Sequence, residues 1–139
     1  MEEFVSLALV AFLLHLAWES AHIRLYRNYD ALKGTLPVPL WAALGDVLYT
    51  LFAVLLIALF KENIVWLEMP TTADYFGLLI LGFCTALFVE YKAFYFKRWE
   101  YVENMPIVPG LRVGLSSLVQ KTLLFPLAVW LTVILVRLI

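Results

Sequence analysis

Residues 40–60 read LWAALGDVLYTLFAVLLIALF, an apolar stretch in which Asp46 is the one charged side chain. About 20 apolar residues in helical conformation cross the hydrocarbon core of a bilayer. Because hydrocarbon offers no partner for backbone N–H and C=O groups, an open-ended span has to be helical. The stretch therefore predicts a transmembrane helix that carries one carboxylate.

Three more apolar stretches of sufficient length flank it, at about residues 4–26, 73–96 and 114–136. Turn-forming residues separate the stretches, at 28–30, 34–39, 70–72 and 106–110. The first stretch follows two acidic residues and is too long for a cleaved signal peptide, so it counts as a span. The predicted fold is all-α, an integral membrane bundle of four antiparallel helices in a single domain over residues 1–139.

Composition supports the bilayer as the surrounding solvent. Hydrophobic residues make up 64% of the chain and charged residues 15%, whereas soluble domains are about half apolar and a quarter charged. The net charge of −1 gives no basic surface, so no nucleic-acid partner is predicted. Cys84 is the single cysteine, which excludes an intrachain disulfide.

Basic residues predict the direction of the spans. The first and third loops are flanked by Arg24, Arg27, Lys33, Lys92, Lys97, Arg98 and Arg112. The opposite side has Lys61 and Arg137. Since cytoplasmic loops carry the excess of Lys and Arg, both termini are predicted to be non-cytoplasmic.

Polar side chains recur inside the spans, where they are costly and therefore informative. On the first helix, His15, Glu19 and His22 lie within an arc of roughly 60°. The other three helices carry Asp46, Glu90 and Gln120. At 1.5 Å per residue, each helix has a polar group roughly 9–10 Å from its cytoplasmic end. The spacing predicts one polar site in the cytoplasmic leaflet.

Acid–base chemistry is the first interpretation of this site. Glu19, oriented by His15 one turn away, is a candidate general acid or base. Asp46 and Glu90 are then a second proton carrier and a charge stabiliser, so the candidate catalytic residues are these four. The candidate binding residues for a cationic or extended apolar ligand are Trp18, Tyr49, Tyr91, Gln120 and Trp99. No cofactor is predicted.

Two other interpretations stay open. His15, Glu19 and His22 have the i, i+4, i+7 spacing that can place three ligands around a metal ion, completed by Asp46 or Glu90. Alternatively, the chain is a non-catalytic subunit of a membrane complex or homo-oligomer, and the polar layer sets helix register.

Some residues also have a purely structural interpretation. His22, Lys92 and Lys121 lie close enough to the interface to snorkel, with the polar end in water and the stem in lipid. Gly82 and Ala86 form a pair of small residues that permits close helix packing.

The pattern of His15-x-x-x-Glu19, Asp46, and Gln120 followed by Pro126 resembles the EXPERA superfamily. This is the four-helix membrane module of emopamil-binding-type sterol isomerases and sigma-type receptors. The resemblance implies an intramembrane cavity for a sterol-like ligand, proton transfer by Glu19 and Asp46, and His15 as helper. The function expected is binding of an isoprenoid or sterol-like lipid, with proton-transfer isomerisation or cyclisation if the protein is an enzyme.

The chain departs from that pattern at three positions. Asp46 stands where the family has Glu, Gln120 where it has Asn, and Leu123 where an aromatic residue is expected. The predicted outward C-terminus also differs from the family's cytoplasmic one. Separately, residues 99–101 and 105–116 resemble small uncharacterised prokaryotic four-helix membrane proteins, a likeness that implies no activity.

The third loop, about Lys97 to Val113, is too apolar for a solvated connection. It is predicted to fold back over the cytoplasmic mouth of the polar site, with Trp99 or Met105 packed near His22 or Asp46. Such a cover would exclude water from the site. The alternative is an interfacial anchor with no role in ligand binding.

Overall fold

The computed structural model describes residues 2–27 and 37–139. Four helices make up most of this part: α1 (Glu2–His22), α2 (Val38–Phe60), α3 (Thr72–Tyr95) and α4 (Leu115–Leu138). All four are long and apolar enough to span a membrane, which confirms the predicted all-α four-helix bundle of a multi-pass membrane protein. Lys33 and most of the predicted first turn lie outside the described residues.

Side-chain caps and one ion pair shape the connection between α2 and α3. Asp74 Oδ2 accepts from the Thr71 backbone N–H at 2.7 Å, and Thr71 Oγ1 accepts from the Asp74 N–H, so a capping box starts α3. Lys61, at the end of α2, donates to the same Asp74 oxygen at 2.7 Å. The Trp66 indole, in the same connection, donates to the Val54 carbonyl of α2. The turn therefore positions both helices.

Helix packing leaves one side of the bundle open. α1 packs against α2 and α4, and α3 packs against α4, whereas α2 and α3 contact each other much less. The α3–α4 contact is very close: a Cβ on Gly82 would lie 2.2 Å from the Lys121 carbonyl oxygen. Leu7, Leu78 and Phe125 belong to the apolar core, and the Phe125 ring also lies edge-on to the His15 ring, with 6.2 Å between ring centroids.

The third loop, residues 96–114, folds back onto the end of α1. The first span was predicted to be helical to Tyr26, but α1 ends at His22, followed by a 3₁₀ turn and strand β1 (Tyr26–Arg27). β1 pairs antiparallel with β2 (Glu100–Tyr101) in the third loop. The chain leaves the helix there because its backbone groups bond to the loop: Val102 N–H donates to Leu25 C=O at 3.0 Å.

Candidate functional site

The polar side chains of α1, α2 and α4 meet at the end of the bundle that carries the third loop. On α1, the spacing of four and then three residues puts His15, Glu19 and His22 on one buried face. α2 contributes Asp46 and α4 contributes Gln120, both buried. The structure thus brings together residues far apart in the chain.

The amide of Gln120 joins the carboxyl groups of α1 and α2. Gln120 Nε2 lies 2.8 Å from Glu19 Oε1 and 2.8 Å from Asp46 Oδ2, and 3.1 Å from His15 Nδ1. A side-chain amide has two N–H hydrogens, and the two shorter contacts use both. The Gln120 amide therefore has no N–H left to donate to His15 Nδ1.

The hydrogen bonds of Thr50 show that His15 Nε2 carries a hydrogen. The Thr50 hydroxyl donates to the Asp46 backbone carbonyl at 2.8 Å. Its lone pairs then face His15 Nε2, 3.2 Å away, so Nε2 carries a hydrogen. The Nδ1 atom faces Asp46 Oδ2 at 3.4 Å. One proton can therefore lie on either Nδ1 or the Asp46 carboxyl group.

Lys121 lies inside the site rather than at the interface. Its Nζ is 3.0 Å from Asp46 Oδ1, and the residue is 3% exposed. The snorkelling interpretation of Lys121 is therefore wrong, because the ammonium finds its partner in the bundle interior rather than in water. Asp46 thus has a full positive charge on one oxygen and the Gln120 amide on the other.

His22 is also buried, which corrects its snorkelling interpretation. Its Nε2 lies 3.0 Å from Glu19 Oε2 and its Nδ1 lies 2.8 Å from Ser116 Oγ. Trp18 donates to the same Ser116 oxygen at 3.3 Å. Glu19 is therefore held by an imidazole on one oxygen and by the Gln120 amide on the other.

Glu90 lies in a separate set of contacts that holds the third loop. Ser117 donates to its Oε1 at 2.8 Å, and Tyr101 and Trp99 from the third loop donate to its Oε2. Burial raises the pKa of the Tyr101 hydroxyl, and the Glu90 carboxylate raises this pKa further. The same hydroxyl accepts from the Gly114 N–H at 2.8 Å, so Glu90 and Tyr101 tie the loop to the bundle.

A cavity of about 200 Å³ lies between these two sets of contacts. We call it the acid cavity; its polar lining includes Glu19, His22, Asp46, Glu90, Gln120 and Lys121. Aromatic side chains that line it include Trp41, Tyr49 and Trp99. Trp99 thus packs at a cavity shared with His22 and Asp46, in the position expected for a covering loop.

The predicted ligand-binding residues divide between the cavity and its outside. Tyr49, Gln120 and Trp99 line the acid cavity. Trp18 lies outside it, against Ser116 on α4. Tyr91 is 44% exposed and donates to the Leu111 carbonyl at 2.7 Å, so it holds the third loop from outside.

The geometry gives the metal interpretation no support. His15 directs its ring nitrogens at Thr50 and toward Asp46, whereas His22 bonds Glu19 and Ser116. Across residues 2–27 and 37–139, no three His, Cys, Asp or Glu side chains are grouped as they would be around a metal ion.

Several site residues escape the sequence prediction. Ser117 and Lys121 belong to a buried stripe with Gln120 and Leu124, whose i, i+3, i+4, i+7 spacing was available in the sequence. No sequence pattern predicts the role of Tyr101, because it meets its partner Glu90 only when the third loop folds back onto the bundle.

Comparison with protein-family models, curated proteins and solved structures gives no match to this chain. Three carboxyl groups, the His22 imidazole and the Lys121 ammonium line the acid cavity, and His15 lies beside Asp46. These groups can hold a proton in several places and pass it to a bound molecule.

Proposed function

We propose that this multi-pass membrane protein binds the polar end of a hydrophobic lipid, isoprenoid or sterol-like, and transfers protons to and from it. The supporting observation is that Glu19 and Asp46 both line the acid cavity and share the Gln120 amide. Ionisable groups that face a cavity inside a membrane are expensive to bury, and function is the usual reason for keeping them.

The proposed reaction moves a double bond. In the resting site the shared proton lies on His15, which leaves Asp46 a carboxylate, and during the reaction this proton passes through Asp46 to one carbon of the double bond. The cation that forms loses a proton from a neighbouring carbon to the Glu19 carboxylate, so the composition of the lipid is unchanged. Because Glu19 and Asp46 both line the acid cavity, a water molecule there can return the proton from Glu19 to Asp46 and His15 after the lipid has rearranged.

Deuterium incorporation tests this function. Lipids that co-purify with the full chain are incubated with it in D₂O, returned to H₂O and analysed by mass spectrometry. The wild type should leave carbon-bound deuterium in one lipid class. Glu19→Gln and Asp46→Asn should each lower this incorporation by about 10²-fold or more, the size of a lost general acid or base.

Glu103→Gln is the matched control, because Glu103 is an exposed carboxylate in the third loop. It should incorporate deuterium at the wild-type rate. Equal incorporation in all three variants and the wild type, or none in the wild type, would refute the proton-transfer proposal.

A structural role is the second candidate function. It is favoured by the fact that every carboxylate oxygen of Glu19, Asp46 and Glu90 has a partner within the bundle. Under this alternative, Glu19→Gln lowers the free energy of unfolding and the wild type incorporates no deuterium into any lipid.

A further inference from the structure

An apolar groove runs along the side of the bundle where α2 and α3 contact each other least. It has a volume of about 340 Å³ and is lined by Phe52 and Leu56 on α2 and by Leu81, Cys84 and Phe88 on α3, among others. Along α2, the rise from Tyr49 to Leu56, seven residues further on, is about 10 Å. The groove therefore has the length and the lining of a site for an extended hydrocarbon chain.

The groove and the acid cavity share part of their lining. Tyr49 lines both, so its side chain lies at the junction. Gly45, one turn before Tyr49, also lines the acid cavity, and a Cβ built on it would meet nothing within 4 Å. The junction thus has open space beside α2, where a ligand can pass from the polar part to the apolar part.

One buried polar atom of Gln120, a residue that lines the acid cavity, calls for a hydrogen-bond donor. Carboxylates only accept, so Gln120 has to turn its NH₂ group toward Glu19 and Asp46, and its Oε1 points away from them. Within the part of the chain that the structure describes, this buried Oε1 has no hydrogen-bond partner. A buried acceptor is normally paired, so a bound molecule should supply an O–H or N–H group.

The charges around the cavity argue against an anionic ligand. Three carboxyl groups line it, on Glu19, Asp46 and Glu90, together with two basic side chains, Lys121 and Arg98. The Lys121 ammonium, which could attract a phosphate, is already paired with Asp46 at 3.0 Å. With three acidic side chains against two basic ones, a phosphate would meet an excess of like charge, whereas a hydroxyl group brings no charge and offers the donor that Gln120 Oε1 lacks.

We propose that the protein takes an uncharged single-chain lipid alcohol, with its hydroxyl on Gln120 Oε1 and its chain in the groove between α2 and α3. The inference rests on the proposed function for the acid cavity as the ligand site. It adds the class of the lipid and the opening through which the lipid enters from the bilayer. The proposed ligand is therefore a linear isoprenoid-like alcohol rather than a fused-ring sterol.

The single cysteine of the chain provides the measurement. Cys84 is exposed in the groove, so a maleimide should modify it in the full chain in detergent. Farnesol at about ten times its Kd should slow this modification about tenfold by mass action. Farnesyl methyl ether has the same chain without the O–H donor and should bind about tenfold more weakly. Farnesyl phosphate and cholesterol should protect less than farnesol does.

A lipid-facing cysteine is the matched control. Leu48 is 68% exposed on α2, so the thiol of a Cys84→Ser/Leu48→Cys variant should react at the same rate with and without farnesol. The proposal is overturned if farnesol gives no protection, if the ether, the phosphate or cholesterol protects equally well, or if the control thiol is protected too. It is also overturned if protection follows protein concentration rather than farnesol, because a second copy of the chain would then cover the groove.

Gly45→Leu tests the junction without touching the carboxyl groups. Its side chain enters open space, so the helical circular dichroism should be kept while farnesol no longer protects Cys84. Persistent protection in this variant, with the helices intact, would contradict the proposed path between cavity and groove.

The two proposals fail in different ways. Farnesol protection without deuterium incorporation in any lipid refutes proton transfer and leaves the binding site. Deuterium incorporation without protection of Cys84 refutes the groove and leaves the chemistry of Glu19 and Asp46.

Discussion

Asp46 is held by two donors of different kinds, the Lys121 ammonium on Oδ1 and the Gln120 amide on Oδ2. A buried ion pair contributes to stability only when geometry and further hydrogen bonds offset the cost of desolvation. Here both oxygens of Asp46 have a donor. Removal of one partner should therefore cost more stability than the intact ion pair contributes, because it leaves the other charge buried without compensation.

Lys121→Met should therefore lower the free energy of unfolding by about 3–5 kcal/mol, because it leaves an uncompensated carboxylate in the bundle. Denaturant titration in detergent micelles measures this difference. Lys92→Met, at a half-exposed lysine near the same end, should change the stability by at most about 1 kcal/mol. Similar values for the two variants would contradict the buried ion pair.

Tyr101 provides a pH-dependent contact at the same scale. Burial and the Glu90 carboxylate raise its pKa, so the folded protein holds the phenol proton more tightly than the unfolded chain does. The stabilisation is complete below the unfolded pKa of about 10 and is lost as the pH rises beyond it, because the unfolded chain ionises first.

The third loop should accordingly loosen as the pH rises above about 10, and Tyr101→Phe should weaken the loop at neutral pH and remove this pH dependence. Limited proteolysis at residues 96–114 between pH 8 and pH 11 measures the effect. Tyr91→Phe is the comparison, since it removes a hydrogen bond to the loop that does not involve Glu90. Unchanged pH dependence in Tyr101→Phe would refute this role.

Helix contacts in this bundle depend on small residues where backbones meet. In a membrane, apolar side chains gain little by leaving lipid, so close packing is a main source of helix association. Gly82 of α3 lies against the Lys121 carbonyl of α4, which helps to place Lys121 and Gln120 in the site. Gly77, on the same helix, faces only the end of the Ile57 side chain, at 3.5 Å.

Gly82→Ala should destabilise the protein by about 1–3 kcal/mol, because backbone atoms have to move to admit the methyl group. Gly77→Ala should be neutral or stabilising by up to about 1 kcal/mol, since alanine favours the helix and fits the space. The free energy of unfolding in detergent compares them. Equal changes in the free energy of unfolding for the two variants would contradict the close contact between α3 and α4 at Gly82.

At the scale of the whole molecule, the direction of insertion is set by basic residues rather than by the helices themselves. The described end that carries the third loop includes Lys97, Arg98 and Arg112, whereas the connection between α2 and α3 includes Lys61. Since Lys and Arg accumulate on the cytoplasmic side, the acid cavity should open toward the cytoplasm and both termini should face away from it.

Single cysteines in a Cys84→Ser background test this orientation with a membrane-impermeant thiol reagent. Asn63→Cys should react from outside intact cells, and Glu103→Cys should react only after the cytoplasmic side is exposed. The two positions are exposed and lie at opposite ends of the bundle. The reverse pattern would invert the topology and leave the structure of the site unchanged.

Local composition was enough to predict the helices and the layer of polar groups. Every backbone group in hydrocarbon needs an internal partner, so the length of an apolar stretch alone specifies a helical span. The spacing of His15, Glu19 and His22 likewise specifies one face of α1 wherever that helix packs. For these features the sequence needs no knowledge of neighbouring helices.

Only the tertiary structure decided what each face meets. Lys121 points at Asp46 instead of water, Tyr91 lies outside the cavity, and Glu90 holds the third loop apart from the Glu19–Asp46 pair. These outcomes depend on how each helix is rotated about its axis and on how closely its neighbours approach. The rotation of a helix and its distance from its neighbours are set by packing between residues far apart in the chain. The residue pattern along one helix therefore cannot predict them.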